Sequence, residues 1–310
     1  MGSYQPGLWL GFAALVAVLM AVDLGVLNRR AHTLGFAEAL RWSGGVVALA
    51  VAFGGVVFWQ EGSRAALEFY TGYLVEVSLS VDNLFVFILI FAYFGVPAEA
   101  RPKVLKWGIL GAIVMRFIMI ALGAVLLQRF EWIIWVFGGI LIITGIKVWR
   151  QQQVRIEPEK NPVVRLARRL MPFSSGYDRA RFFTSTVDGR RLATPLFLVL
   201  ILVEWSDLVF AIDSIPAVFA VTRDPFLVFS SNVFAILGLR ALFFVVAGAM
   251  DRFAYLKPGV ALILVFVGCK MVLSHWVHLP IGISLAVIVG TLAGSVGLSL
   301  WRGGPIRPTS

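Results

Sequence analysis

The chain has 310 residues, of which 59% are hydrophobic and only 14% charged, with a formal net charge of +10. Soluble domains carry about 25% charged residues, so this composition excludes an ordinary soluble protein. Apolar runs of bilayer length recur throughout, and about 20 apolar residues cross the hydrocarbon core as a helix. Alternating strands of about ten residues, which a membrane β-barrel needs, are not seen. The fold class read from the sequence is therefore all-α, a polytopic membrane protein.

Nine spans are predicted in chain order: 8–27, 40–59, 69–94, 105–127, 131–149, 194–220, 226–250, 259–277 and 280–301. The first lacks a basic n-region and a small-residue cleavage site, so it is not read as a signal peptide. Spans 69–94 and 194–220 are long, which suits tilt or a broken helix.

Basic residues alternate between the links. The odd links and the C-terminal tail hold 20, against 3 in the even links. Ten of them lie in residues 150–193. The positive-inside rule then puts the N-terminus outside and the C-terminus in the cytoplasm. The sequence expectation is an integral protein of a bacterial plasma (inner) membrane. The same distribution accounts for the net charge without nucleic acid. Loop 150–193 either rests on anionic lipid or is an ordinary loop that fixes orientation.

Charged residues inside the spans are the informative ones. The bases are Arg116, Lys147, Arg240 and Lys270; the acids are Asp23, Glu76, Asp82, Glu204, Asp207 and Asp213. Asp82 to Arg116 is 34 positions and Asp207 to Arg240 is 33; Arg116 to Lys147 is 31 and Arg240 to Lys270 is 30. QRF at 128–130 answers DRF at 251–253, and GIKVW at 145–149 answers GCKMV at 268–272. Landmarks in register mark an internal repeat. Each unit has three spans, so the second copy enters the membrane from the opposite side. The expected organisation is one transmembrane domain over 1–310: repeat 1 at 69–149, a cytoplasmic loop at 150–193 and repeat 2 at 194–277. Secondary transporters built from inverted repeats bind substrate near the midplane.

The acidic helices should supply that site. In EVSLSVDNLF, Glu76 and Asn83 share a face within roughly 20° at 100° per residue, and Asp82 lies roughly 120° away. In the second copy Glu204 and Asp207 are adjacent on one face, while Asp213 falls opposite on a regular helix. Pro216 removes the helical partner of the Ile212 carbonyl. A kink or unwound stretch there, with Ser214 bonding a freed backbone group, would turn Asp213 toward the same cavity.

An Asp at a helix centre costs about 2.5–3.5 kcal/mol on insertion scales. Protonation, a bound cation or buried counter-charge must offset it. Arg116 and Arg240 are the expected counter-charges, with Lys270 and the hydroxyl of Ser80 in support. Lys147 lies near a span end and can snorkel, which leaves acids in excess. A divalent cation on hard oxygen ligands from Glu76, Asp82, Asn83, Glu204, Asp207 and Asp213 closes the gap. Cys269 is the single cysteine, and His32, His275 and His278 lie outside the acidic spans. Soft-metal sites are disfavoured, and an oxygen site suits Mn²⁺, Mg²⁺ or Ca²⁺. Asp23 is read as a structural partner of Arg29 or Arg30 ahead of a role as a ligand on the cytoplasmic side.

The pairing of EVSLSVDN at 76–83 with EWSDLVFAIDSIPAVFAVT at 204–222 closely resembles the TerC family of integral membrane proteins. The link DLGVLNRRAHTLGFAEALRWS at 23–43 is similar to the same family, named from tellurium-resistance operons. The likeness covers roughly residues 10–300. It implies metal-ion transport, with manganese efflux the favoured activity, and it implies that Glu76, Asp82 and the Asp207–Asp213 stretch are metal-site acids. The cation is then substrate, membrane lipid is the surrounding partner, protons are a candidate coupling ion, and no organic cofactor is expected. Two other classes stay open: a passive channel, and a metal-binding scaffold without active transport. No HExxH or GxSxG pattern and no nucleophile with a His base near the acids points to an enzyme.

Overall fold

The computed structural model describes residues 6–25, 36–130, 132–150, 161–185, 190–249, 255–274, 276 and 279–301. The elements in order are α1 (Pro6–Gly25), α2 (Phe36–Tyr93), α3 (Arg101–Arg129), α4 (Ile133–Arg150), α5 (Pro162–Leu170), β1 (Phe183–Ser185), β2 (Arg191–Ala193), α6 (Pro195–Phe219), α7 (Pro225–Ala249), α8 (Leu256–Leu273) and α9 (Ile281–Trp301). Proline opens α5, α6 and α7. Its missing N–H costs nothing at a first helical position, where that group has no intrahelical partner.

Among the described residues, five stretches are long and apolar enough to cross a membrane, in α2, α3, α4, α6 and α9. A bent pair of segments in α7 makes a sixth, and α1 and α8 carry shorter apolar stretches. The protein is thus an all-α polytopic membrane protein with several apolar spans. The predicted stretches 40–59 and 69–94 both fall in α2.

That 58-residue element is a hairpin rather than a rod. Gly62 has φ 86° and ψ 179°, a backbone state open to glycine and strained for residues with a Cβ. The Tyr70 hydroxyl donates to the Val51 carbonyl at 2.7 Å, and the Phe53 and Phe69 rings lie 5.3 Å apart. Residues 19 positions apart on a straight helix would be separated by about 28 Å. The chain therefore folds back at Gly62, and the two arms of α2 pack against each other.

The arm after Gly62 packs along α7 and α6. A Cβ on Gly72 would lie 3.0 Å from the Ser231 hydroxyl and 3.2 Å from Val218. The Phe91 and Phe243 rings are 5.3 Å apart further along, so this arm runs in the same direction as α7. Helices α3 and α6 also run together, with Gly108 against Val203 and Gly123 against Phe219. Helices α4 and α8 are antiparallel and close. A Cβ on Gly138 would meet the Gly268 carbonyl at 3.0 Å, and one on Gly145 the Ala261 carbonyl at 2.9 Å. Small residues permit such backbone approach in membranes, where hydrophobic burial does not drive helices together.

The link between α4 and α6 departs from the helical expectation. It holds a two-stranded antiparallel sheet, with Phe183 opposite Ala193 and Ser185 opposite Arg191. The strands are three residues each, too short for hydrophobic alternation to reveal. Long-range hydrogen bonds fix the link to the helix ends. Tyr177 donates to the Phe94 carbonyl at 2.7 Å, and Lys103 Nζ donates to the Ala180 carbonyl at 2.6 Å. Burial pushes the Tyr177 phenol above its usual range. Helix α5 is capped by Asn161, whose side chain accepts from the Val163 N–H at 2.9 Å. It buries Val164 and Ala167. Leu166 and Leu170 stay exposed beside Arg165, Arg168 and Arg169, a composition that interfacial helices carry.

Candidate functional site: a buried ion network between α2, α3 and α6

Three apolar clusters fill the helix bundle, and a polar layer separates two of them. On α3, Arg116 falls between Ala112 of one cluster and Ile120 of the other; on α6, Asp207 falls between Val203 and Ala211. Glu76 and Arg116 are 0% exposed and Asp207 is 2% exposed.

Arg116 is the hub. One guanidinium nitrogen, Nη1, donates to Glu76 Oε1 and, at 3.0 Å, to Ser214 Oγ. Nε and Nη2 reach the two oxygens of Asp207 at 3.4 and 3.2 Å. This is a two-point grip on one carboxylate with a second carboxylate on the remaining nitrogen, which the planar five-donor guanidinium suits and an ammonium does not. Three helices that are separate in sequence are tied by one side chain.

The network is not closed. Among the described residues its ionisable groups are two carboxyls against one guanidinium. Glu76 Oε2 is buried without a hydrogen-bond partner, and so is the Ser80 hydroxyl one turn along α2. Buried polar atoms are nearly always paired, so these two mark a place where a cation or a proton would complete the set. A cavity of about 10 Å³ touches Asp207, with Phe87, Ala112, Val203 and Leu239 around it. That is about the room one water needs.

The remaining sequence-predicted residues divide. Asn83 is buried on the same arm of α2. Glu204 is half-buried against α3, where a Cβ on Gly111 would collide with its carboxylate. Asp213 is half-buried and turned the other way, accepting a hydrogen bond from Thr144 Oγ1 of α4 at 2.8 Å. The break expected at Pro216 is absent. Helix α6 continues to Phe219, Pro216 sits in its last turn, and its carbonyl accepts the Ala220 N–H at 2.9 Å. Pro216 still leaves the Ile212 carbonyl without its helical N–H partner, yet the backbone on either side of it stays helical. Asp213 therefore keeps the side a regular helix gives it, while the hydroxyl of Ser214 joins Arg116. The side chains of Asp23, Asp82 and Arg240, and residues His32, His275 and His278, lie outside the described residues. Among the described residues no group of three or more His, Cys, Asp or Glu side chains is placed to hold a metal ion.

Lys270 is not beside Arg116. It lines a cleft of about 730 Å³ with Arg64, Glu68, Gln128, Thr222 and Asp224. There Glu68 accepts from Thr222 Oγ1 at 2.6 Å and from Arg64 Nε at 3.1 Å, which ties α2 to the link between α6 and α7. Asp224 caps α7 by accepting from the Phe226 N–H at 2.9 Å. Burial raises its carboxyl above the usual range, the N–H groups of Phe226 and Leu227 pull it back, and Glu68 and Glu61 raise it further.

Sequence reasoning found the Arg116 network but missed Thr144, Gly111 and the Glu68–Thr222 tie. Glu68 sits one residue before a predicted span and Thr222 in a short link, where polar residues are ordinary.

A polytopic helical bundle with a buried, incompletely neutralised ion network is an integral membrane protein built around charge in its interior. Residues 61–303 match the family described as "Integral membrane protein TerC family", and the chain belongs to that family. The chain is 53% identical to "Uncharacterized membrane protein STKORF319" of Myxococcus xanthus, over 96% of this chain and 92% of that protein. It is 46% identical to "Putative membrane-bound redox modulator Alx" of Escherichia coli K12, over 96% and 95%. It is 36% identical to an "Uncharacterized membrane protein" of Rickettsia bellii, over 95% and 97%. No solved structure matches the chain.

Proposed function

We propose that the protein is a divalent-cation transporter, with manganese efflux from the cytoplasm in exchange for protons as its most favoured activity. The observation that carries the reading is the Glu76–Arg116–Asp207 network, buried to 2% exposure or less, with one carboxylate oxygen left over. Two buried carboxyls share the single Arg116 guanidinium, and an uncompensated buried charge costs several kcal/mol, so a proton or a cation on the free oxygen of Glu76 would complete the set. That alternative is the elementary step of an exchanger. The oxygen ligands of the acidic helices, Glu76, Asp82, Asn83, Glu204, Asp207 and Asp213, suit a hard ion. Asp213, placed on Thr144, serves in this scheme as a stop on the path.

The scheme uses the two units 69–149 and 194–277 as inverted repeats that rock about the polar layer. Their packing supports this. The repeat sets Gly145 against Gly268 and, by the same offset, Gly138 against Ala261. The close approaches of Gly138 to Gly268 and of Gly145 to Ala261 are then one contact seen from the two copies, as a two-fold axis requires.

The test is cation-evoked proton movement in everted membrane vesicles, whose interior corresponds to the outside of the cell. With a preset acid interior, Mn²⁺ is expected to dissipate the gradient saturably, with Mg²⁺ and Ca²⁺ competing. A flux linear in Mn²⁺ would favour the channel. No flux from folded protein would favour the scaffold.

A further inference from the structure

Helix α7 also crosses the polar layer. Val228 belongs to one of the two clusters that the layer separates and Ile236 and Leu239 to the other, while Val233, Phe234 and Ala235 pack in the third. Midway between Val228 and Ile236 stands Asn232, one of three successive polar residues, SSN at 230–232, in an otherwise apolar helix. It is 0% exposed, and neither its Oδ1 nor its Nδ2 has a hydrogen-bond partner. Its neighbour Ser231 lies against Gly72, one turn before Glu76 on α2. Residues 228, 232, 235 and 239 form one stripe at helical spacing, and Leu239 ends it at the small cavity beside Asp207.

An amide buried with both polar atoms unpaired costs about 1–3 kcal/mol for each group left unsatisfied. A packing role alone would be served better by leucine, which matches asparagine closely in size and loses nothing on burial. Among the described residues, three buried side chains in this layer hold unpartnered polar atoms: Glu76, Ser80 and Asn232. They come from the two helices α2 and α7, which pack along each other.

We propose that Asn232 is a cation-binding residue, supplying its amide oxygen to the same divalent ion that Glu76 binds, with the Ser80 hydroxyl between them. The inference rests on the transport reading above and adds the fourth helix to the site. A neutral oxygen beside a carboxylate is the donor set of hard divalent cations. It also adjusts affinity without adding charge to the layer. An ion so held bridges α2 and α7 and is released when they separate.

The experiment is Mn²⁺ binding to the purified full-length protein in detergent, read by loss of the free Mn²⁺ resonance signal, for wild type, Asn232→Leu, Asn232→Asp and Asn232→Gln. Size-exclusion profiles establish that each variant is folded. Asn232→Leu is expected to weaken Mn²⁺ binding about tenfold or more, and Asn232→Asp to retain or tighten it, because a carboxylate preserves the oxygen and adds charge. Asn232→Gln, which keeps the amide but displaces it, should fall between. Equal Mn²⁺ affinity in wild type, Asn232→Leu and Asn232→Asp overturns the proposal while leaving the transport reading intact. No Mn²⁺ binding by folded wild type overturns both. Should Asn232→Leu not fold, unchanged affinity in both Asn232→Asp and Asn232→Gln is the overturning result.

Discussion

Arg116→Leu is expected to destabilise the protein by about 3–5 kcal/mol, the cost of leaving buried carboxylates without their counter-charge. The substitution strips Glu76 of its partner and removes both bonds to Asp207 on three helices at once. Arg116→Lys should recover only part of the loss, because an ammonium is a point charge and cannot span Glu76, Asp207 and Ser214 together. Neutralising the whole set behaves differently. A variant with Arg116→Leu, Glu76→Gln and Asp207→Asn is expected to regain much of the stability, since replacing a complete buried ion group is often near neutral. It should still not transport. The measurement is the fraction of monodisperse protein surviving a heating series in detergent. Equal survival of wild type and Arg116→Leu would show that the network carries no structural weight.

Gly268→Val is expected to separate α4 from α8. A Cβ at this position would lie 2.9 Å from the Gly138 carbonyl oxygen, and also 2.9 Å from side-chain atoms of Leu141 and Ile142. The carbonyl belongs to a helix backbone and cannot swing aside, so one helix must move. Overpacking of this kind costs about 1–3 kcal/mol, occasionally more. Gly139→Ala is the control: nothing lies within 4 Å of its Cβ position, and alanine is the better helix former. Heating series of the two variants should diverge, Gly268→Val falling below wild type and Gly139→Ala matching it. Similar curves for both would mean that the α4–α8 approach is not a tight contact.

The sequence made the membrane class legible because composition and run length report it without any knowledge of packing. The hairpin in α2 was legible for the same reason: two apolar stretches with Glu61, Arg64 and Glu68 between them cannot form one span. Arg116 as partner of the acids followed from the cost of burying charge. Asp213 was misplaced because proline was treated as a break. The loss of one backbone bond at the Ile212 carbonyl does not unwind α6, which stays helical through Pro216 to Phe219. Asn232 was overlooked because, unlike Asn83 beside Asp82, it stands in a stretch with no acid near it to signal a site. Only its burial, with both polar atoms unpaired, sets it apart. The short strands between α4 and α6 could not be read, since three residues give no period. The closed approach of α4 and α8 was half visible, as glycines in GIKVW and GCKMV that were read as repeat landmarks and not as contacts.

The central claim is that the cation passes through the Glu76–Arg116–Asp207 layer. It is tested most directly by initial rates of radioactive Mn²⁺ uptake into everted vesicles containing equal amounts of folded wild type, Glu76→Gln or Asp207→Asn. Loss of one partner of a buried charge set is worth several kcal/mol, so each variant is expected to be slower by about a hundredfold. Wild-type rates in both variants would place the path elsewhere and contradict the account.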